Sequence, residues 1–241
     1  VSYQREHPDI VDIVGCTPVD FSSSVMLAVS RSNRKWLRIV SATGTVISGD
    51  LPAEPVASAT PLSTPDGSAV ILFADHTLRK YTVGATALTL VWAVTVGSAI
   101  WVAADTGWIA APGWHPAHVL FLDPATGDTL QAGCAPTPVK AAVGLGASLF
   151  TCGDDQLAQI TAATGATVGQ LDLVGVRGPE GAYIDFGLMA PVFVGHDWIA
   201  TVTPGTPSAT YAGRFTDRQG QAPSAGTYRD RNPYVGPWWE G

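Results

Sequence analysis

A weak echo returns about every forty residues along this chain. Aligned on its turns it reads RIVSATGTVISGDL from Arg38, LRKYTVGATALTLVW from Leu78, VLFLDPATGDTLQ from Val119 and AQITAATGATVGQL from Ala158. Each copy is a short apolar strand, a turn and a second strand, and no helical period separates the copies. A unit of this size cannot bury its apolar faces alone, so neighbouring units must stack. Strand-only repeats of this length stack radially in a β-propeller.

The second unit shows the grammar most fully. Pro55 opens an inner strand, and Thr64-Pro65-Asp66-Gly67 is a turn whose glycine can take positive φ. Ala69–Ala74 is a continuous apolar run of strand length, the pattern of a strand buried on both faces. Asp75-His76-Thr77 turns the chain into Leu78–Val83, and Leu88–Val96 completes four strands. The same reading gives Ile13–Val19, Val25–Ser30, Trp36–Ser41 and Thr45–Leu51 in the first unit. The third has Ala99–Ala104, Trp108–Ala111, Val119–Asp123 and Asp128–Ala132, and the fourth has Val139–Leu145, Ser148–Cys152, Leu157–Ala162 and Thr167–Leu173. A degraded fifth runs through Tyr183–Leu188, Val192–Gly195, Trp198–Thr203 and Thr210–Phe215. The expectation is an all-β chain: a propeller of about five four-stranded antiparallel blades over 12–215, an N-terminal segment 1–11, and a non-regular arm 216–241.

The composition of the 241 residues suits buried sheets, with 46% hydrophobic and only 14% charged residues. A formal net charge of −7 disfavours nucleic acid as a partner, because that interaction needs a basic footprint. No apolar stretch reaches the roughly 20 residues of a membrane-spanning helix. The chain opens on Val1 with no basic-then-apolar leader, so either a leader has been removed or the sequence belongs to a longer product. Cys16, Cys134 and Cys152 lack CxxC spacing. They read first as buried thiols acting as small hydrophobes, with a Cys134–Cys152 bridge as the alternative. The compartment stays open on these grounds, a periplasmic or extracellular setting being slightly favoured.

PVASATPLSTPDGSAVILFADHTLRKYTV and VLFLDPATGDTLQ resemble the quinoprotein-type (PQQ-like) propeller repeat, whose blades carry an Asp-x-x-Thr-Gly turn. Asp123-Pro124-Ala125-Thr126-Gly127 matches that turn fully, while Ser41–Gly44 and Ala162–Gly165 match without the Asp. The likeness spans roughly 12–203, and Trp92 sits where the family's blade-end tryptophan is expected. The family's dehydrogenases imply eight blades, a bound quinone, calcium and often an adjacent cysteine pair. This chain has too few blades and no Cys-Cys, so the resemblance points to non-catalytic members with no cofactor, which serve as binding platforms in assemblies.

Function on a propeller sits in its loops. The turn between the second and third strand of every blade points to one face. Those turns carry His76, Trp114, His115, His118, Asp154, Asp155, His196 and Asp197 beside Asp75. They are candidates for contact with a ligand, such as a carbohydrate, or with a protein partner. His115-x-x-His118 is the tightest pair and a weak metal candidate. Hairpin turns favour Asp and Gly for conformational reasons alone, so solvated turns are the plainer reading. There is no GxSxG elbow and no phosphate loop, and the inner-strand carboxylates Asp12, Asp20, Asp105 and Asp185 are a thin set for glycosidase chemistry. The leading expectation is therefore a non-catalytic scaffold subunit that binds a protein. A lectin-like module comes second and a glycosidase-like enzyme third. Trp238 and Trp239 would anchor the arm on a surface, since adjacent exposed indoles are costly in water.

Overall fold

The computed structural model describes residues 12–19, 24–59, 67–105, 107–113, 118–154, 156–172, 179, 181–185, 190–194, 198–202 and 211–214, for some of which the backbone alone is described. Their strands form five four-stranded antiparallel sheets, each made of four consecutive strands. The first blade is β1 (Ile13–Pro18), β2 (Val25–Ser30), β3 (Lys35–Val40) and β4 (Thr45–Asp50). The second is β5 (Pro55–Ala59), β6 (Ser68–Phe73), β7 (Thr77–Val83) and β8 (Leu88–Thr95). The third is β9 (Ala103–Asp105), β10 (Trp108–Pro112), β11 (His118–Leu122) and β12 (Thr129–Cys134). The fourth is β13 (Ala141–Leu145), β14 (Ser148–Cys152), β15 (Gln156–Thr161) and β16 (Thr167–Asp172). A further sheet, β17 (Gly181–Asp185), β18 (Ala190–Val194), β19 (Trp198–Thr201) and β20 (Tyr211–Arg214), follows the fourth blade. Successive first strands pack together, β1 on β5, β5 on β9, β9 on β13 and β13 on β17. That is the radial order of a β-propeller.

Strand periodicity explains the core. In β6 every residue is buried, and alternate side chains serve different neighbours. Ala69, Ile71 and Phe73 join Leu27, Val29 and Trp36 of the first blade. Val70 and Leu72 join Ala104, Ile109 and Ala111 of the third. β10 repeats the device: Ile109 and Ala111 face back, while Trp108 and Ala110 face the fourth blade with Leu149 and Ile160. The fourth blade in turn buries Phe150 and Cys152 against Phe193 of the last sheet. Each large side chain buried this way contributes about 1.5–3 kcal/mol.

The repeated glycine turn is a conformational requirement. Gly44, Gly127 and Gly165 sit at φ 65, 78 and 68°, and each donates its N–H to the carbonyl four residues back. A side chain is disfavoured in this left-handed region, so the turn selects glycine. Asp123 completes the Asp-Pro-Ala-Thr-Gly version by accepting from the amides of Ala125 and Thr126 at 2.6 and 3.2 Å.

The third blade departs from the expected boundaries. Its first strand spans Ala103–Asp105 rather than starting at Ala99, which makes only an isolated bridge to Gly113. The cause is Pro112. Its carbonyl accepts from Ile100 at 3.0 Å, but it has no N–H to return, so the ladder lapses there.

Candidate functional site

The face built from the second-to-third-strand turns is described in part. Trp114, His115, Asp155, His196 and Asp197 lie outside the described residues, as do Trp238, Trp239, Thr64–Asp66 and the segments 1–11 and 216–241. His76 occupies the β6–β7 turn, His118 opens β11 and Asp154 lies in the β14–β15 connection. These are equivalent places in three successive blades.

His118, Asp154 and the Asp75 that precedes His76 each engage their own blade. Asp75 accepts from the Thr77 amide at 3.0 Å and forms an ion pair with Arg79 at 2.6 Å. The Arg79 guanidinium in turn lies 4.6 Å from the centre of the Phe73 ring. Desolvation opposes ionisation of Asp75, but the Thr77 hydrogen bonds and the Arg79 charge outweigh it and hold its carboxyl below the ordinary value. His76 sits at φ 63°, a left-handed position with a side chain. Asp154 is paired with Lys140. His118 Nδ1 lies 3.5 Å from Cys134 Sγ, across the β11–β12 pairing that sets these two residues opposite one another. No group of three or more His, Cys, Asp or Glu side chains suited to a metal gathers among the described residues.

The cysteines differ from expectation. No disulfide joins Cys134 and Cys152, and Cys134 is exposed rather than buried. Their strands explain this. Cys152 points into the core shared with the last sheet, whereas Cys134 ends the outer strand β12. The carboxylates weighed for glycosidase chemistry also have local roles where their side chains are described. Asp105 is buried and accepts from the Gly146 amide, and Asp12 accepts from the Ser32 hydroxyl at 3.4 Å.

A second surface, which the sequence reading missed, lies on the outer strands. In β8, β12 and β16 the pairing slips by one residue at the same point of the blade. The slip leaves Val91, Leu130 and Val168 as bulge residues facing outward, 49, 52 and 47% exposed, with Leu90 beside them at 53%. β4 pairs with β3 without a slip. Bulges blunt edge strands by twisting them, but a charge or a polar residue would do so without an apolar cost. The recurring Gly-x-Thr-apolar pattern, Gly-Asp-Thr-Leu and Gly-Ala-Thr-Val, was the available signal.

No protein-family model matches the chain, and no curated protein sequence matches it. Among solved structures, it is similar to BamB from Moraxella catarrhalis, with a TM-score of 0.62 and 14% identity. It is also similar to a chain in the crystal structure of a mitotic checkpoint complex, with a TM-score of 0.68 and 8% identity. Each likeness covers 86% of this chain and 66% of the other, so the chain spans slightly under two thirds of either. At such identities the likeness is one of fold, a β-propeller.

Proposed function

We propose that this chain is a non-catalytic propeller that docks a partner protein, as one component of a larger assembly. The observation that carries the reading is the row of exposed apolar bulge residues, Val91, Leu130 and Val168, repeated around three consecutive outer strands. Isolated exposed apolar residues are ordinary on a protein surface; the same position left apolar in successive blades favours a contact surface. One of the similar folds belongs to the crystal structure of a mitotic checkpoint complex, which supports the same reading by analogy. The complete Asp-x-x-Thr-Gly turn at Asp123–Gly127 supports assigning the repeat to the quinoprotein type.

The test is quantitative affinity capture from the source with the intact chain, a Leu130→Asp/Val168→Asp variant and a His118→Ala variant. The reading expects one partner to be retained by the intact chain and His118→Ala but depleted at least tenfold by the double variant. Thermal melts must show all three folded. A partner lost only with His118→Ala would overturn the outer-strand site. Glycan binding that depends on His76 and His118 would replace the whole reading with a lectin-like one on the turn face.

A further inference from the structure

Four boundaries between sheets are crossed by the chain itself, through connections 51–54, 96–102, 135–140 and 173–180. The two end sheets have no such link. Every sheet consists of four consecutive strands, so among the described strands none from one end of the chain completes the sheet at the other. The outward faces of these end sheets are nevertheless covered. In β2, Leu27 and Val29 serve the second blade, so Ala28 and Ser30 face the opposite way, and the register sets Leu37 of β3 across from Ala28. Ala28, Ser30 and Leu37 are all at 0% exposure. In β18, Phe193 serves the fourth blade, so Ala190 and Val192 face away from it, at 5 and 3%.

These are two buried sheet faces at the two ends of one radial series, both on central strands, as at the boundary between the first two blades. We propose that they bury each other, closing the propeller by side-chain packing alone with no strand shared between the ends. The other boundaries keep their blades tethered if packing fails, and two of them also carry cross-blade hydrogen bonds: Lys80 and Trp92 to Pro124, and Trp108 to Gly146. The closing boundary has no tether, so it opens first.

Benzophenone photo-cross-linking in the full chain tests this. Met26 and Ile39 lie on the outward face of the first blade and are only half-buried, so the probe is placed at each in turn. Trypsin separates the last sheet, in peptide 178–214, from the C-terminal segment, whose peptides begin at 215. The expected result is an intramolecular cross-link from both positions to 178–214. Cross-links to peptides beyond 214 would assign the cover to the C-terminal segment, and cross-linked dimers would assign it to a second copy. Either result, or no cross-link from both positions, overturns the proposal. Hydrogen exchange supplies the second readout. Amides of β2 and β18 should exchange together and ahead of those of β6 and β10; the reverse order would refute preferential opening.

Discussion

Asp105 stands at the hairpin end of β9, buried, with the Gly146 amide donating to its carboxylate while the Trp108 indole donates to the Gly146 carbonyl at 2.9 Å. One residue pair of the third blade thus clamps both backbone polar groups of one residue of the fourth. Asp105→Ala removes a charged acceptor from a part-buried hydrogen bond, which costs about 1.5–3 kcal/mol. A lowered urea midpoint with an unchanged slope is the expected signature. Two other residues set pH limits. Asp75 is held below the ordinary carboxylate value, so its contribution is present above about pH 4 and is lost as pH falls through its depressed pKa. Its exposure keeps that contribution small. Tyr81 is the opposite case. Burial pushes its phenol above the ordinary value, and Arg79 offsets only part of that rise. Its contribution is present below about pH 10 and is lost as pH rises through the raised pKa. Melting temperature against pH should therefore fall at both ends. Tyr81→Phe should flatten the alkaline limb and Asp75→Asn the acid one.

At the scale of elements, two solutions to one packing problem stand side by side. Trp92 of β8 lays its ring over Gly127 in the next blade's turn, where a glycine Cβ would come within 3.0 Å of the ring, and donates to the Pro124 carbonyl at 3.1 Å. The equivalent positions in β12 and β16 are Gln131 and Gly169, as their registers show. Without an indole there, the backbone itself closes the gap between the third and fourth blades. A Cβ on Gly133 would clash with the Gly165 carbonyl oxygen. Trp92 is partly buried, so Trp92→Ala should cost less than the about 3–5 kcal/mol of a fully buried aromatic truncation. Gly133→Ala should cost about 1–3 kcal/mol through forced separation of two backbones, although it adds only a methyl group. Chemical denaturation of the two variants checks both. A neutral Gly133→Ala would show that this close approach relaxes at little cost.

For the whole molecule, the C-terminal residues give a separable test. Trp238 and Trp239 could each contribute about 1.5–3 kcal/mol if buried on a partner. Deleting 226–241 should leave the far-ultraviolet spectrum of the sheets intact and weaken assembly with the partner, read by co-purification. Undiminished assembly would remove the arm from the interaction surface and leave the outer strands and the turn face as candidates.

The repeat, the strand count of each blade and the glycine turns were legible in the sequence because they rest on local rules. Side chains alternate with period two, and left-handed turns select glycine, as at Gly44, Gly127 and Gly165. The unbroken apolar run of β6 announced burial on both faces for the same reason. What depends on partners distant in sequence was decided only by the tertiary structure. The sequence cannot show that Cys134 meets His118, because a sixteen-residue separation becomes a contact only through the register of β11 and β12. Nor can it show that Asp105 is committed to Gly146, forty-one residues on, rather than free for chemistry. The outer row of Val91, Leu130 and Val168 depended on a one-residue slip in pairing, and such a slip reverses which face a side chain takes. Local propensity sets what each strand is; only the packing of blades decides which of its side chains remain available to bind.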